Sequence, residues 1–242
     1  MATCEDIARI IDHAVLHPTQ TDADMKAACE AARDAGAGTV CIKPYAVRDA
    51  VEWLAGSQTK VITVVGFPHG SQATAVKVFE AEQALQDGAA EIDMVINVGK
   101  ALSGDWDYVR REIRALTEVC HQRGALLKVI IETDYLPNQE IKARLGEICV
   151  EAGADFIKTS TGFGFVKQAS GGYDYLGATE ADIRLLHAVC SPKVQVKASG
   201  GVRNLAGVRL MVEAGATRIG ASATEAIVAQ CKGEAEKEGE GY

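Results

Sequence analysis

AGADFIKTS, at positions 152–160, joins the end of a helical pattern to a short apolar strand through Gly153. Glycine readily adopts the left-handed conformation that ends many helices, so the segment is typical of a helix-to-strand joint. Similar joints occur at AGAGTVCIK (35–43), DGAAEIDMVIN (87–97) and AGATRIGAS (214–222). A chain that repeats this joint is predicted to alternate helices with parallel strands.

The intervening segments complete a set of eight predicted strands. They cover residues 9–16, 38–43, 60–66, 90–96, 125–132, 155–160, 193–198 and 217–222. Helical patterns such as DADMKAACEAARDA and WDYVRREIRALTEVCHQ separate them. Eight such units in ~250 residues predict an α/β fold, a closed (β/α)8 TIM barrel. A doubly wound open sheet is the alternative, but it usually has fewer strands, and no GxGxxG follows the first strand.

One barrel domain is expected over residues 1–232, because 242 residues with 48% hydrophobic content can bury one sizeable core. Residues 233–242 (GEAEKEGEGY) are charged and glycine-rich, and we expect a flexible tail there. The net charge of −8 and the lack of a Lys/Arg cluster argue against nucleic acid as a partner. No apolar stretch approaches the ~20 residues of a membrane span, and MATCEDIARIID lacks the basic start of a signal peptide.

The cysteines and histidines do not suggest a cofactor site. No histidine or carboxylate cluster has the spacing of metal ligands, so no metal or other cofactor is expected. The seven cysteines form no CxxC pair and are interpreted as buried thiols of a cytoplasmic protein. They are Cys4, Cys29, Cys41, Cys120, Cys149, Cys190 and Cys231.

Residues alternate along the predicted strands between an oily face and a charged face. In VQVKAS, Lys197 lies opposite Val196 and Ala198, and in EIDMVIN, Asp93 lies opposite Ile92 and Met94. The oily faces must pack on helices, so the charged faces must line the barrel interior. Unpaired charge is costly there, and mutual pairing is expected among Asp12, Asp93, Lys128, Glu132, Lys158 and Lys197.

Lys158 is the candidate nucleophile. A desolvated lysine loses its proton more easily and can then form a Schiff base, whereas the alternative is a lysine that extends to solvent. Lys197 would favour the neutral amine of Lys158 through its own charge, or would merely bind an anionic substrate group. Asp93 could hold a water and move protons, or form a structural salt bridge to Lys128 or Lys197.

Small residues follow the last two predicted barrel strands and suggest a phosphate site. Ser199, Gly200 and Gly201 follow the Lys197 strand, while Gly220 and Ser222 lie at the end of the final strand. Loops at these strand ends often hold a phosphate with backbone N–H groups. The alternative is ordinary turn glycine.

The motifs that carry these residues resemble those of the deoxyribose-phosphate aldolase family. They are FIKTSTGF, EIDMVINVG, SGDWDYVRREI, LLKVIIET, VKASGGVR and AGATRIGAS, with IDHAVLHPTQT, VCIKPYAV and VVGFPHG nearer the start. The resemblance runs from about Ile10 to Ala226. It implies a metal-independent class I aldolase that reversibly cleaves 2-deoxy-D-ribose 5-phosphate to D-glyceraldehyde 3-phosphate and acetaldehyde, in deoxyribose phosphate catabolism.

The resemblance also assigns roles to residues. Lys158 matches the Schiff-base lysine, Lys197 the second lysine that perturbs it, and Asp93 the proton-transfer aspartate. Supporting positions are Asp12, Cys41, Lys128, Thr161 and Tyr242, the last as a C-terminal tyrosine that assists proton transfer. Positions near the phosphate are Gly162, Ser199, Gly200, Gly201, Gly220 and Ser222.

The chain departs from the family pattern after TSTGFG, where an extended loop over residues 163–177 contains Lys167, Tyr173 and Tyr175. His17 also stands where the family commonly has a lysine. These departures leave an aldolase with shifted substrate preference as one alternative and a non-catalytic sugar-phosphate-binding barrel as another. A homodimer or homotetramer is expected by analogy with similar barrels.

Overall fold

Eight parallel strands close into a barrel, as predicted, in a computed structural model that describes residues 3–239 and the side chains of residues 3–233. Around the barrel the strands follow the order β1-β10-β9-β6-β5-β4-β3-β2. Their bounds, with those of two further short strands, are β1 Ile11–Val15, β2 Thr39–Ile42, β3 Lys60–Val65, β4 Glu91–Val95, β5 Leu126–Ile130, β6 Phe156–Lys158, β7 Val166–Lys167, β8 Tyr173–Asp174, β9 Gln195–Ser199 and β10 Arg218–Ala221.

Helices cover the outside of the barrel. They are α1 Cys4–Arg9, α2 Asp22–Asp34, α3 Val47–Trp53, α4 Thr74–Gln86, α5 Val98–Leu102, α6 Trp106–Gln122, α7 Gln139–Ala152, α8 Glu180–Cys190, α9 Leu205–Glu213 and α10 Thr224–Gly239. Short polar side chains cap the amino ends of many of these helices. Thr21, for example, forms a capping box with Asp24 at the start of α2. Helix α10 includes residues 233–239, and the flexibility predicted for residues 233–242 stays a prediction.

The main core lies between the strands and the helices. Outward-facing Ile92, Met94, Val129 and Val196 belong to it and are almost fully buried. However, not every strand contributes charged side chains to the barrel interior. Cys41, Ile62 and Val64 form a separate apolar cluster there, so the charged residues are concentrated on the other strands.

A buried ion pair outside the barrel holds the end of β4. Lys77 of α4 and Glu112 of α6 are fully buried and lie 2.8 Å apart, Nζ to Oε1. Lys77 also donates to the carbonyl of Val95 at 2.7 Å, and Glu112 accepts from the backbone N–H of Asn97 at 2.9 Å. Two helices therefore fix the strand that carries Asp93.

Two of the seven cysteines are not free thiols, contrary to the prediction. Cys4 of α1 and Cys231 of α10 form a disulfide, because closure of the barrel brings the first and last helices together across 227 positions of sequence. The other five cysteines are free and buried, as predicted. Among the described helices, none is long and apolar enough to cross a membrane.

The extended loop contains a small hairpin that the strand pattern did not predict. Val166 and Lys167 of β7 pair antiparallel with Asp174 and Tyr173 of β8. This hairpin stands at the carboxyl ends of the barrel strands, between β6 and α8. It lies at the end of the barrel where active sites of this fold are found.

Candidate active site

Five charged side chains reach the barrel interior from five different strands. Asp12 comes from β1, Asp93 from β4, Lys128 from β5, Lys158 from β6 and Lys197 from β9. The strand register aligns Asp93 with Lys128 and Lys158 with Lys197. Aligned residues of parallel strands point to the same side, so the predicted alternation is sufficient to bring these groups together.

Asp93 lies at the centre of this group. Its Oδ2 accepts from Lys158 Nζ and from Lys197 Nζ, each at 2.7 Å. Its Oδ1 accepts from Lys128 Nζ at 2.9 Å. All four side chains are almost completely buried, so one carboxylate holds three amines away from bulk water.

Asp12 extends the network to β1 and β10. It forms an ion pair with Lys197 and lies 3.7 Å from Lys128 Nζ. Arg218 donates to Asp12 Oδ1 at 2.8 Å, and Thr39 donates its hydroxyl to the same oxygen at 2.7 Å. Asp12 therefore gives Lys197 a second carboxylate partner in addition to Asp93.

Glu91 and Arg218 belong to the network, although they were not among the predicted site residues. Glu91 forms an ion pair with Lys128, and Arg218 Nη1 lies 3.3 Å from Glu91 Oε2. Glu91 precedes Asp93 by two residues, and Arg218 precedes Gly220 by two. Period-two alternation along β4 and β10 was therefore a signal that could have identified both.

The charges of this network do not balance when every group is ionised. Its members are the cations Lys128, Lys158, Lys197 and Arg218 and the carboxylates Asp12, Glu91 and Asp93. Four cations thus face three anions. An uncompensated buried charge is costly, so the loss of one proton from a lysine would relieve the excess.

Lys158 is the lysine whose surroundings favour that loss. Burial lowers its pKa below the ordinary value of 10.5; the Asp93 carboxylate opposes this, and the Lys197 ammonium adds to it. Burial would lower the pKa of Lys197 too, but Asp12 and Asp93 together raise it. Lys197 therefore keeps its proton while Lys158 becomes the readily available neutral amine.

The pKa of Asp93 favours its ionised form. Burial would raise the pKa of Asp93, but the ammonium groups of Lys128, Lys158 and Lys197 outweigh burial and hold that pKa well below its ordinary range. The pKa of Lys128 is raised in turn, because three carboxylates overcome its burial. Lys128 is therefore a permanent positive charge behind Asp93.

A cavity of about 550 Å³ opens above the two reactive lysines at the carboxyl ends of the strands. Lys158, Lys197, Asp12 and Cys41 line its floor, whereas Asp93 lies behind the lysines and not on its wall. Burial, with a smaller contribution from Asp93, raises the pKa of the Cys41 thiol to about 11, so this side chain stays protonated. Of the central groups, the two lysines are therefore the ones best placed to touch a bound molecule.

The loops predicted to hold phosphate all reach this cavity. They contribute Gly162, Ser199, Gly200, Gly201, Gly220 and Ser222 to its wall. Gly200 and Gly201 have φ angles of 88° and 79°, a conformation that favours glycine and turns the backbone sharply at the cavity edge. Arg203 also lines the cavity, and it was not among the residues predicted from the sequence.

Thr161 is positioned by Glu132, which corrects the expected role of that carboxylate. Glu132 was expected to pair with the interior lysines, but its carboxylate accepts from the N–H of Thr161 at 3.2 Å and from the Thr161 hydroxyl. The chain turns away at the end of β5, where Glu132 has a φ of 54°. Thr161 then accepts from the N–H of Phe163 at 2.9 Å, so Glu132 organises the start of the extended loop.

Tyr242, proposed from the resemblance as a proton-transfer residue, lies outside the described residues.

A parallel barrel with a cavity at the carboxyl ends of its strands and a buried lysine that loses its proton readily has the architecture of a barrel enzyme suited to chemistry at a lysine amine. The sequence profile described as "DeoC/LacD family aldolase" matches residues 7–230. The chain belongs to this family and is an aldolase.

Individual relatives agree with this assignment over nearly the whole chain. The deoxyribose-phosphate aldolase of Thermococcus gammatolerans is 48% identical over 225 residues, which cover 92% of this chain and 95% of that protein. The solved structure of the aldolase QR15 superposes with a TM-score of 0.86 at 37% identity and covers 96% of this chain and 98% of its own. The tetrameric deoxyribose phosphate aldolase of Aeropyrum pernix gives a TM-score of 0.85 at 30% identity, with 96% and 93% covered.

Proposed function

We propose that this aldolase reversibly cleaves 2-deoxy-D-ribose 5-phosphate to D-glyceraldehyde 3-phosphate and acetaldehyde through a Schiff base on Lys158. The observation that carries the proposal is the shared oxygen: Lys158 and Lys197 both donate to Asp93 Oδ2 at 2.7 Å. One amine of this pair is favoured to be neutral and the other charged. The neutral amine can attack a carbonyl, and the charged one can supply a proton.

The reaction begins when the neutral amine of Lys158 attacks the C1 aldehyde of the open-chain sugar. Loss of water leaves a protonated imine, which draws electrons from the neighbouring carbons. Lys197, which is neutral once it has protonated the departing hydroxyl, takes the proton from the C3 hydroxyl, and the C2–C3 bond breaks. Its electron pair moves into the enamine of acetaldehyde, and D-glyceraldehyde 3-phosphate leaves with the new carbonyl. Protonation of the enamine at C2 and hydrolysis of the imine release acetaldehyde and restore Lys158.

Lys197 and Asp93 divide the proton handling between them. Lys197 lines the cavity and holds a proton that can be donated to the carbonyl oxygen or to the enamine carbon. Asp93, behind both lysines, keeps Lys197 charged and can receive a proton only through the amines that it touches. In this proposal Lys197 acts as acid and then as base, and Asp93 holds the two amines together and exchanges protons with them.

The phosphate of the substrate binds far from the reacting carbons. Backbone N–H groups of the loops at Gly162, Gly200 and Gly201, the hydroxyl of Ser222 and the guanidinium of Arg203 supply suitable donors at the cavity mouth. Binding energy from this remote group would hold C1 against Lys158. A substrate without the phosphate should therefore be cleaved with a lower kcat/KM.

The function is tested by measuring acetaldehyde release from 2-deoxy-D-ribose 5-phosphate. Lys158→Met should abolish release. Lys167→Met is the matched control, because Lys167 is exposed on the hairpin and does not line the cavity. If a metal chelator does not reduce acetaldehyde release by the unaltered protein, the result supports a metal-independent mechanism. Full activity of Lys158→Met would exclude a Schiff base on Lys158.

The assembly and location are also proposals. The Aeropyrum pernix relative is tetrameric, which supports a homodimer or homotetramer here, and light scattering of the purified protein would measure the number of subunits. Five buried, unpaired thiols support a cytoplasmic location, and the disulfide between Cys4 and Cys231, a bond rare in reducing compartments, is the observation against it. Fractionation of the source cells would test it.

A further inference from the structure

The proposed mechanism makes no use of His13, a buried histidine of β1. Asp12, the residue before it, faces the barrel interior, so His13 faces the surrounding helices. Ile11 and Val15, which share this outer face, belong to the core between the strands and the helices. A polar ring in an apolar layer is costly unless it finds a hydrogen-bonding partner.

The partner of His13 is Thr224, the first residue of α10. The Nδ1 of His13 and the hydroxyl oxygen of Thr224 are hydrogen-bonded at 2.9 Å, and Thr224 is fully buried. Burial lowers the pKa of His13, so the ring is uncharged at neutral pH and the bond joins two neutral groups. This bond connects the first barrel strand to the start of the last helix, across 211 positions of sequence.

The bond lies next to one of the loops proposed to bind phosphate. In the barrel, His13 is aligned with Ala221 of β10. Gly220, Ala221 and Ser222 line the cavity, and Thr224 follows Ser222 by two residues. The short segment between β10 and α10 is therefore held at its far end by His13, and a shift of Thr224 would move Ser222 with it.

Helix α10 also holds the second loop proposed to bind phosphate. The side chain of Gln230 accepts from the backbone N–H of Leu205 at 2.9 Å, at the start of α9. Arg203, which lines the cavity, lies two positions before Leu205. Both loops are thus attached to one helix, so the position of its first turn matters for the whole phosphate site.

We propose that His13 is a positioning residue for phosphate binding: through Thr224 it fixes the segment that presents Ser222 to the phosphate of the substrate. His13 does not itself line the cavity, so it acts on the substrate only through this segment. The inference rests on the proposed cleavage of 2-deoxy-D-ribose 5-phosphate. It adds a residue on which recognition of the phosphate depends, but on which the chemistry at Lys158 does not.

The test compares cleavage of 2-deoxy-D-ribose 5-phosphate with cleavage of 2-deoxy-D-ribose. The readout is the ratio of their kcat/KM values, because a general loss of activity lowers both values and cancels in the ratio. Thr224→Val keeps the shape of the side chain but cannot form the bond. It should lower the ratio by about threefold to tenfold, the range expected for the loss of one hydrogen bond, through a higher KM for the phosphorylated sugar.

Three further variants show whether the effect belongs to this bond. Thr224→Ser keeps the hydroxyl and should keep the ratio of the unaltered protein. His13→Phe removes the ring nitrogen and should lower the ratio as Thr224→Val does, so either variant serves as the test if the other does not fold. The double variant His13→Phe/Thr224→Val should fall no further than the single variants, because both substitutions remove the same bond.

Thr117→Val is the matched control, because Thr117 is also buried and donates its hydroxyl to the carbonyl of Ile113 within α6, outside the cavity wall. Its ratio should equal that of the unaltered protein. An unchanged ratio in Thr224→Val and His13→Phe, an equal fall in Thr224→Ser or Thr117→Val, or additive falls in the double variant would overturn the role of His13. If the unaltered protein cleaves neither sugar, the function on which the inference rests is overturned instead.

Discussion

Lys158 and Lys197 donate to the same oxygen, Asp93 Oδ2, each over 2.7 Å. Two ammonium groups on one oxygen repel each other, and the second contact of Lys197 with Asp12 decides which of them keeps its proton. The pKa of Lys158 is lowered and that of Lys197 is raised. The difference in pKa between two chemically identical side chains thus follows from one additional carboxylate, that of Asp12.

Removal of Lys197 should move the acidic limb of the pH profile upward. Activity depends on neutral Lys158 and therefore rises as the pH rises through the pKa of that group. Lys197 lowers this pKa, so Lys197→Met should raise it and displace the limb to higher pH. A displacement of one pH unit corresponds to about tenfold fewer neutral amines at a fixed pH below the pKa.

The measurement is the pH at which imine formation with acetaldehyde reaches half its maximal rate. This midpoint follows the pKa of Lys158 even if the loss of Lys197 lowers the rate at every pH. Lys60→Met is the control, because Lys60 is an exposed lysine on a barrel strand outside the network. A limb that stays in place in Lys197→Met would mean that Lys197 does not set the pKa of Lys158.

Changes in the net charge of the network should shift the pKa of Lys158, and the same assay measures this shift. Lys128→Met leaves three cations with three carboxylates, so Lys158 should retain its proton and the limb should move to higher pH. Glu91→Gln removes an anion instead and should move the limb to lower pH. Neither residue lines the cavity, so Lys128 acts through Asp12 and Asp93, and Glu91 acts through Lys128 and Arg218.

Opposite displacements in these two variants would support the balance of charges, whereas displacements of the same sign would contradict it. Circular dichroism establishes that each variant is folded. If Lys128→Met regains the full rate of imine formation at high pH, the pKa of Lys158 has shifted. If it does not, the site is damaged.

Glu132 should control the loop that begins at Thr161. Glu132→Ala removes the hydrogen bonds that the N–H and hydroxyl of Thr161 donate, and one such bond typically contributes about 0.5–1.5 kcal/mol. We expect faster amide hydrogen exchange over residues 161–164 and a higher KM for the phosphorylated substrate. The measurements are exchange mass spectrometry and steady-state kinetics.

Gly164→Ala should have a similar effect by a different route. A Cβ at this position would lie 2.7 Å from the carboxyl carbon of Glu132 and would displace it. Gly172→Ala is the control, since the nearest atom to its Cβ is the Ser170 hydroxyl at 3.9 Å. Equal exchange in all three variants would refute the role of Glu132.

The disulfide between Cys4 and Cys231 should stabilise the fold without affecting catalysis. It links α1 and α10 across 227 positions, and a disulfide typically contributes about 2–4 kcal/mol to the free energy of unfolding. Cys231→Ser should therefore lower the melting temperature under oxidising conditions and leave kcat unchanged. The same comparison under a reducing agent is the control, and a difference that persists there would show that the side chain acts through packing.

Local sequence patterns predicted the centre of the site because it depends on local periodicity. The alternation in VQVKAS and EIDMVIN fixes which residues face the interior, and the barrel then brings Lys197 and Asp93 together. The pairing of Arg218 with Asp12 depends in addition on the register between β10 and β1. The disulfide depends on closure of the barrel, which no local pattern encodes.

The hairpin was missed for a related reason. FVKQASGGYDYLG contains only two pairs of residues in strand conformation, too few for a period to be recognised. Glu132 was assigned to the interior because it continues the alternation of β5, but the strand ends at Ile130 and the chain turns before Glu132. Alternation predicts which face of the sheet a side chain lies on only as far as the strand continues.

The central claim is that Lys158 is the amine that forms the Schiff base. It is tested most directly by incubating the protein with acetaldehyde and borohydride and mapping the modified peptide by mass spectrometry. We predict one ethyl group per chain, located on Lys158, and none at that peptide in Lys158→Met. An ethyl group on Lys197 in place of Lys158, or no modified lysine in the barrel interior, would contradict the account.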